Sequence, residues 1–322
     1  MTANITIKEY LKSFFYILEP FNRYRKTYKN FFHVMYYVSK QKFPINAILK
    51  NGEKKVLKNY YETYLTTFQI MDDYRIDGTV ISISKSNMSK TKIDFGNNNG
   101  DIYAVFFEEI YKFLPVQDQV IIDIGANIGD SSIYFSIRGA KKVIALEPLP
   151  KNYSLAESNI KNNHLENKID LFLGGCSNSN DHIFVDPEKE GAGSSTNHSN
   201  QKLKVPLKTL ETILKENNFE PTLLKLDCEG CEYDTILSSS EETLKNFSHI
   251  QIEYHYGYKT LKQKLESCGF DVSITEPNFI RNKQAGKTMF FGYIFGSFLT
   301  IPSNHLFVLS SPQINLMADT ID

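Results

Sequence analysis

Three acids and two thiols fall within six residues at Asp227-Cys228-Glu229-Gly230-Cys231-Glu232. The apolar run Leu223 to Leu226 before them reads as a strand, so Asp227 stands at its carboxyl end, facing a cleft. There Asp227 could bind a ligand's amino group or lie beside a reacting centre. Glu229 could take a proton from a substrate hydroxyl. The competing reading is that these acids, Glu232 included, cap the next helix, where negative charge is favoured. Cys228 and Cys231 have the Cys-x-x-Cys spacing of redox and zinc sites. No second cysteine pair or histidine pair completes a tetrahedral set, so no metal is expected. A second polar strand end comes at Gln251-Ile252-Glu253-Tyr254-His255. His255 is a candidate general base, because its ordinary pKa lies near neutrality. Glu253 could orient it or bind substrate. Alternatively both residues mark a solvent-facing strand end.

A third constellation lies upstream. The strand Val120 to Ile124 runs into Asp123-Ile124-Gly125-Ala126-Asn127-Ile128-Gly129. Glycines allow a tight turn and a close ligand approach. The spacing is Gly-x-x-x-Gly, which departs from the Gly-x-Gly-x-x-Gly cradle of a dinucleotide pyrophosphate. A nucleoside ligand without phosphates needs no such cradle, and S-adenosylmethionine is one. The next strand ends Ala145-Leu146-Glu147-Pro148. An acid placed about 20 residues after the turn can accept from both ribose hydroxyls, and Pro148 stiffens the turn after it. Gly174-Gly175-Cys176-Ser177 ends a third strand and is expected near the adenine. The cofactor set read from the sequence is therefore Asp123, Gly125, Asn127, Gly129, Glu147, Pro148, Gly175, Cys176 and Asp227. The catalytic set is Asp227, Glu229, Glu253 and His255.

From about Gln119 onward, short apolar strands alternate with helices. Strands are expected at 120–124, 142–146, 169–173, 223–226, 249–253, 270–274 and 290–295. Helices are expected at 131–138, 151–162, 207–216, 233–237 and 259–267. This alternation predicts a mostly parallel sheet covered on both faces. Ligands bind such sheets at the carboxyl ends of the strands, near the reversal of strand order. Upstream, Asn51-Gly52 between Ala47–Lys50 and Lys55–Leu57 predicts a hairpin. Thr79 to Ile83 reads as a strand and Ile102 to Phe113 as a helix. Residues 5–42 are rich in Phe, Tyr, Lys and Arg. Leu11, Phe14, Phe15 and Leu18 recur at helical spacing, and Pro20 breaks one helix from the next. Two packed helices are the plain reading of this segment; a membrane or subunit contact is the sharper one. The division expected is an N-terminal helical and hairpin extension over 1–100 and a sheet domain over 101–322. Asp101 and Tyr103 could reach the cofactor from the joining helix.

The Asp-x-Gly-Ala-Asn-x-Gly turn, the Glu147-Pro148 pair and the Lys225-Leu-Asp-Cys-Glu-Gly-Cys-Glu232 block stand in one order. In that order they resemble the FkbM-type family of class I methyltransferases. The resemblance covers roughly Asp101 to Ile274. It implies a Rossmann-like, seven-stranded α/β sheet, S-adenosyl-L-methionine as donor and, commonly, O-methylation of a small molecule or glycan. It raises Glu253, since family members carry a Glu near that position. Gly191-Ala192-Gly193-Ser194-Ser195-Thr196 resembles a short Gly/Ser element of the family that could close over the cleft, or it is a plain surface loop.

Bulk properties narrow the alternatives. The chain has 322 residues, 23% of them charged, and a formal net charge of −1. That balance gives no general grip on nucleic acid, so none is expected as a partner. Four cysteines are too few for a disulfide scaffold and fit a reducing compartment. The N-terminus lacks the order of a signal peptide, and no apolar run reaches the ~20 residues of a membrane span. A cytoplasmic enzyme is expected, with a possible homo-oligomer through the N-terminal region. Two other readings remain: a non-catalytic nucleoside-binding module on the same fold, and an NAD-type oxidoreductase.

Overall fold

The computed structural model describes residues 21–67, 74–83, 88, 91–96, 101–188, 203–217, 222–275, 277–282 and 287–298. The Leu11–Leu18 stripe and the Gly191–Thr196 loop lie outside them.

The second half builds one sheet. Its strands are β1 (Val120–Ile124), β2 (Lys142–Glu147), β3 (Ile169–Leu173), β4 (Thr222–Leu226), β5 (Phe247–Tyr254), β6 (Asp271–Ile274) and β7 (Lys287–Ser297). In space they run β6-β7-β5-β4-β1-β2-β3. The pairs from β3 to β5 are parallel. β7 is antiparallel to both β5 and β6, and Asn278–Asn282 pairs with β7 as an eighth strand. The sheet is thus seven-stranded along its main path and mostly parallel, as the alternation predicts. The chain lays down β1, β2 and β3 in one direction, then returns to place β4 against the free side of β1. That reversal opens a cleft at the carboxyl ends of β1 and β4.

The central strands are covered on both faces, which explains their near-continuous apolar sequences. All five residues of β1 and of β4 are buried. Ile121, Val143, Ala145 and Leu223 pack on one face with Ile133, Phe135 and Ile160 from α1 (Asp130–Ile137) and α2 (Pro150–Asn162). Ile122, Ile124, Ile144 and Leu224 pack on the other. They meet α3 (Leu210–Glu216), α4 (Cys231–Ser238) and α5 (Lys259–Ser267) through Ile213, Ile236 and Leu261.

Several elements differ from expectation. The helix read over 102–113 stops at Phe106. Glu109 has φ +52°, outside helical space, so the following residues turn back towards the sheet. The helix read from Leu207 begins at Leu210, where Thr209 accepts from the Thr212 N–H as its cap. Leu203–Lys208 before it is a strand, pairing antiparallel with His182–Val185 and parallel with Gly175–Cys176. Within the Gly174–Ser177 stretch, Gly175 and Cys176 are therefore strand.

The hairpin at Asn51-Gly52 is present, as Ile45–Ile48 against Lys54–Leu57. Tyr74–Asp77, Val80–Ile83 and Thr91–Asp94 form a three-stranded meander, of which the sequence pattern shows the middle strand. Tyr24, Tyr28, Val34, Ile45, Ala47, Leu49 and Leu57 form a cluster of their own. Ile81, Ile83, Ile93 and Phe95 instead belong to the core of the sheet. Asn159 of α2 and Asn163 just after it accept from the Asp94 and Lys92 amides, tying the meander to that helix. By packing, the stretch assigned to the extension is two pieces, and the later one joins the sheet.

Candidate active site

The turn after β1 is built against β2 and β4. The Gly125 and Ala126 amides both donate to Leu146 O, and the Asp227 amide donates to Ile124 O. Gly125 has φ +80°, and a Cβ there would lie 1.9 Å from Asp227 O. No other residue fits that crossing. Gly129 also has a positive φ, +82°, at the start of α1. Both glycines of the spacing thus serve backbone geometry first.

Beneath the turn lies a buried polar cluster. The Asp123 side chain is fully buried, and its carboxylate accepts from the Ser131 and Ser132 hydroxyls at 2.7 and 2.6 Å. Lys225 Nζ pairs with Asp123 Oδ1 at 3.0 Å and donates to Gly125 O at 2.7 Å. Burial disfavours the Lys225 charge, but Asp123 and Asp227 overcome it and hold the ammonium well above the ordinary lysine range. Asp123, expected at the cofactor, is turned into this cluster and braces the turn. Lys225 is the charged interruption of an otherwise apolar strand, and that interruption is the sequence signal for its role.

Glu147 ends β2, 4% exposed. One of its oxygens accepts from the Asn127 amide at 2.8 Å, the other from the Leu149 amide at 2.9 Å. The Asn152 side chain bonds the same carboxylate. Burial pushes the carboxyl up to about 7, against these two amides. Pro148 adjoins Gly175, where an added Cβ would lie 3.8 Å from Pro148 Cβ and 2.8 Å from Leu207 Cδ2. Asn127, Glu147, Pro148 and Gly175 are thus close neighbours. Cys176 departs from this group. It is 2% exposed, packs in the core with Ile124 and Leu146, and burial pushes its thiol up to about 12. Its side chain is a core element rather than an adenine contact. Asp130, in the first turn of α1, is buried and pushed up to about 6 by that burial. An acid at this helix start disfavours a phosphate. A ligand carrying ribose and positive charge, as S-adenosylmethionine does, fits the groups present.

The ends of β4 and β5 form the other side of the cleft. Asp227 Oδ2 accepts from the Tyr111 hydroxyl at 3.3 Å. Tyr111 arrives there because the helix before it stops early, and no sequence spacing marks it. Glu232 is fully buried; its Oε1 accepts from the Cys228 amide at 3.0 Å and lies 3.0 Å from His255 Nδ1. Glu232 lies in the first turn of α4 but bonds the Cys228 amide of the preceding loop rather than capping the helix start. His255 Nε2 lies 3.3 Å from Glu229 Oε2 and 4.0 Å from Asp227 Oδ1. Burial disfavours the imidazolium, but the Glu232 hydrogen bond and the charges of Glu232, Glu229 and Asp227 override it and lift His255 to about 10. It holds its proton at neutral pH, so it is not a resting general base. Glu229 adopts φ +58°, a strained backbone for a side chain of its size, and is raised by burial and by Asp227.

Glu253 sits directly across from Tyr293 of β7, and the two side chains are hydrogen-bonded. Burial first, then Asp227 and Asp101, raise Glu253 well above the usual range. Asp101, at the rim, is pushed up to about 7 by the protein around it and by Asp227 and Asp130. It therefore shares the electrostatics of the cleft, while Tyr103 stacks on Phe107. Cys228 and Cys231, whose spacing completes no metal set, are joined by a disulfide. The start of α4 folds back on the end of β4 and brings their Cα atoms to 5.5 Å, within bridging range.

Residues 123–272, just under half of the chain, match the family model of the methyltransferase FkbM domain. Over those residues the chain is similar to FkbM methyltransferases. A 74-residue segment, 22% of the chain, is 39% identical to the U6 small nuclear RNA (adenine-(43)-N(6))-methyltransferase of Drosophila melanogaster. The match spans 23% of that relative's length. Among solved structures, precorrin-6y C5,15-methyltransferase from Geobacter metallireducens GS-15 is similar at 15% identity, with 59% of this chain and 87% of that one covered and a TM-score of 0.34. M. capricolum TrmK in complex with S-adenosyl-homocysteine is similar at 17% identity, covering 59% and 67%, with a TM-score of 0.32. The matched segment runs from β1 into β6, so it contains Gly125, Glu147, Asp227, Glu229, Glu232, Glu253 and His255. Among the described residues, no helix is long and apolar enough to cross a membrane.

Proposed function

We propose that the protein transfers a methyl group from S-adenosyl-L-methionine to a hydroxyl of a small molecule or glycan in the cytoplasm. The observation that carries this reading is Glu147, buried beside the Gly125–Gly129 turn with both oxygens oriented by backbone amides. Glu147 would take the ribose hydroxyls, and Asn127, Gly129, Pro148 and Gly175 would frame the nucleoside. Asp227 would meet the amino group. When bound, the donor supplies an activated methyl group, so the protein's work is mainly positioning and exclusion of water.

Glu229 is the assigned proton acceptor, since it lies at the rim with 34% of its side chain exposed. Glu253, joined to Tyr293, and the charged His255 shape the acceptor pocket. The acids of this mouth disfavour a polyanionic acceptor such as an RNA backbone. That argues for a neutral acceptor despite the short RNA-methyltransferase similarity. Calorimetry with S-adenosylhomocysteine tests the cofactor half: wild type binds, Glu147→Ala loses most affinity, and NAD does not compete. Labelled-methyl transfer into fractionated lysate tests the acceptor half. Asp227→Ala is expected to abolish transfer with the fold intact; unchanged turnover would remove Asp227 from the site.

A further inference from the structure

We propose that Asp227, Glu232 and His255 form a divalent-cation site at the mouth of the cleft, suited to Mn2+ or Zn2+. Each offers one ligand-type atom, and these atoms lie within 4.8 Å of one another; an ion bound there displaces the proton His255 otherwise holds. Ligand atoms ~2.1 Å from a shared ion are at most ~4.2 Å apart, so closure needs shifts of a few tenths of an ångström. Two carboxylates and one imidazole are a mixed hard and borderline set, which excludes neither ion and disfavours Cu(I).

Two observations point to a missing ligand. Glu232 is fully buried, yet its Oε2 has no hydrogen-bond partner among the described residues. His255 supplies a counter-charge at Oε1, but an acceptor oxygen left without a donor in the interior is costly. His255 is 4% exposed and aims Nε2 between Glu229 and Asp227 at 3.3 and 4.0 Å, longer than a charge-assisted hydrogen bond. The electrostatics agree. Asp227, Glu229 and Glu232 face one imidazole, while Lys225 is engaged with Asp123 beneath the turn.

Asp227, 17% exposed, is the open side of the trio. An ion held there keeps coordination positions facing the cleft, where an acceptor oxygen could bind as a Lewis base. This role in catalysis rests on the methyl-transfer reading; binding of the ion does not. The test is titration of the full chain with Mn2+, read by loss of the free-ion paramagnetic signal, with Zn2+ as competitor. Wild type is expected to bind one Mn2+ per chain, displaced by Zn2+. Asp227→Asn and His255→Gln are expected to weaken binding at least 10-fold. His255→Gln is checked by circular dichroism, and the less buried Asp227→Asn carries the test if it unfolds. No uptake of either ion at millimolar concentration, or uptake unchanged in Asp227→Asn, would overturn the site. S-adenosylhomocysteine calorimetry on the same samples separates the two readings. Nucleoside binding without ion binding removes only the ion site, and ion binding without nucleoside binding removes only the transferase.

Discussion

The two sides of the cleft use the same residue types in opposite ways. Under the turn after β1, Asp123 is closed by Ser131, Ser132 and Lys225, and no solvent reaches it. Across the cleft, Asp227, Glu229, Glu232 and Glu253 crowd around His255 with incomplete compensation. A satisfied buried charge holds a shape, whereas an unsatisfied one is available to a ligand. Burial alone does not distinguish them, since Asp123 and Glu232 are both fully buried. What distinguishes them is whether the partners are already present.

The comparison breaks most easily at Lys225. Replacing it with methionine leaves Asp123 as a buried charge without its cation. We expect a loss of about 3–5 kcal/mol in denaturant unfolding. The double variant Lys225→Met with Asp123→Asn should recover a substantial part, because it removes the stranded charge. If the double variant is no better than the single one, the pair is not a unit and the framework reading of Asp123 is wrong.

Gly125→Ala comes next. The new Cβ would collide with Asp227 O, and the positive φ adds strain. A cost of about 2–4 kcal/mol is expected from overpacking and the left-handed backbone together. Relief of the collision must move the end of β4, so S-adenosylhomocysteine affinity should fall as well. Wild-type affinity in a destabilised Gly125→Ala would show that the two sides of the cleft are not mechanically joined.

How much of the molecule is legible in its sequence depends on the range of each interaction. Gly125, Glu147 and Asp227 each end an apolar strand, and strand periodicity is local, so the residues that frame the reversal point can be read directly. The same holds for the sheet itself, because each βα unit announces its own period. Tyr111 and Tyr293 cannot be read that way. Tyr111 depends on a helix that stops at Phe106, seven residues before the apolar pattern does. Tyr293 depends on β7 pairing antiparallel with β5, a contact across forty residues of chain. Asp123 departs from its expected role for a related reason: sequence places it at the strand end, but the serines of α1 decide which way it turns. Cys176 likewise looks like part of a glycine turn until Leu207 and Lys208 pair beside it.

A proton titration sharpens the cofactor half. Glu147 and Asp130 are raised by burial to about 7 and about 6. A carboxyl raised on folding contributes stability that is complete below its unfolded pKa and lost as pH rises through the folded one. Stability is therefore expected to fall between about pH 4 and pH 7, by at most ~1.4 kcal/mol per pH unit for each proton lost. Glu147→Gln should flatten that slope. A slope unchanged in Glu147→Gln would mean that its proton is not the one released.

The smallest effect has the opposite sign. Glu253 is raised by burial and by the negative charge of Asp227 and Asp101, so its ionised form works against the fold. Glu253→Gln keeps the shape and a donor for the Tyr293 oxygen while removing that charge. We expect a gain of about 1 kcal/mol in unfolding at pH 8, together with loss of methyl transfer. The gain should vanish at pH 5, where the native carboxyl is already protonated. Lys225→Met and Glu253→Gln would then move stability in opposite directions, although both remove one charge within the same cleft. If Glu253→Gln instead destabilises at pH 8, its carboxylate is as well compensated as Asp123. The crowding of the mouth would then be structural rather than a place kept for ligand.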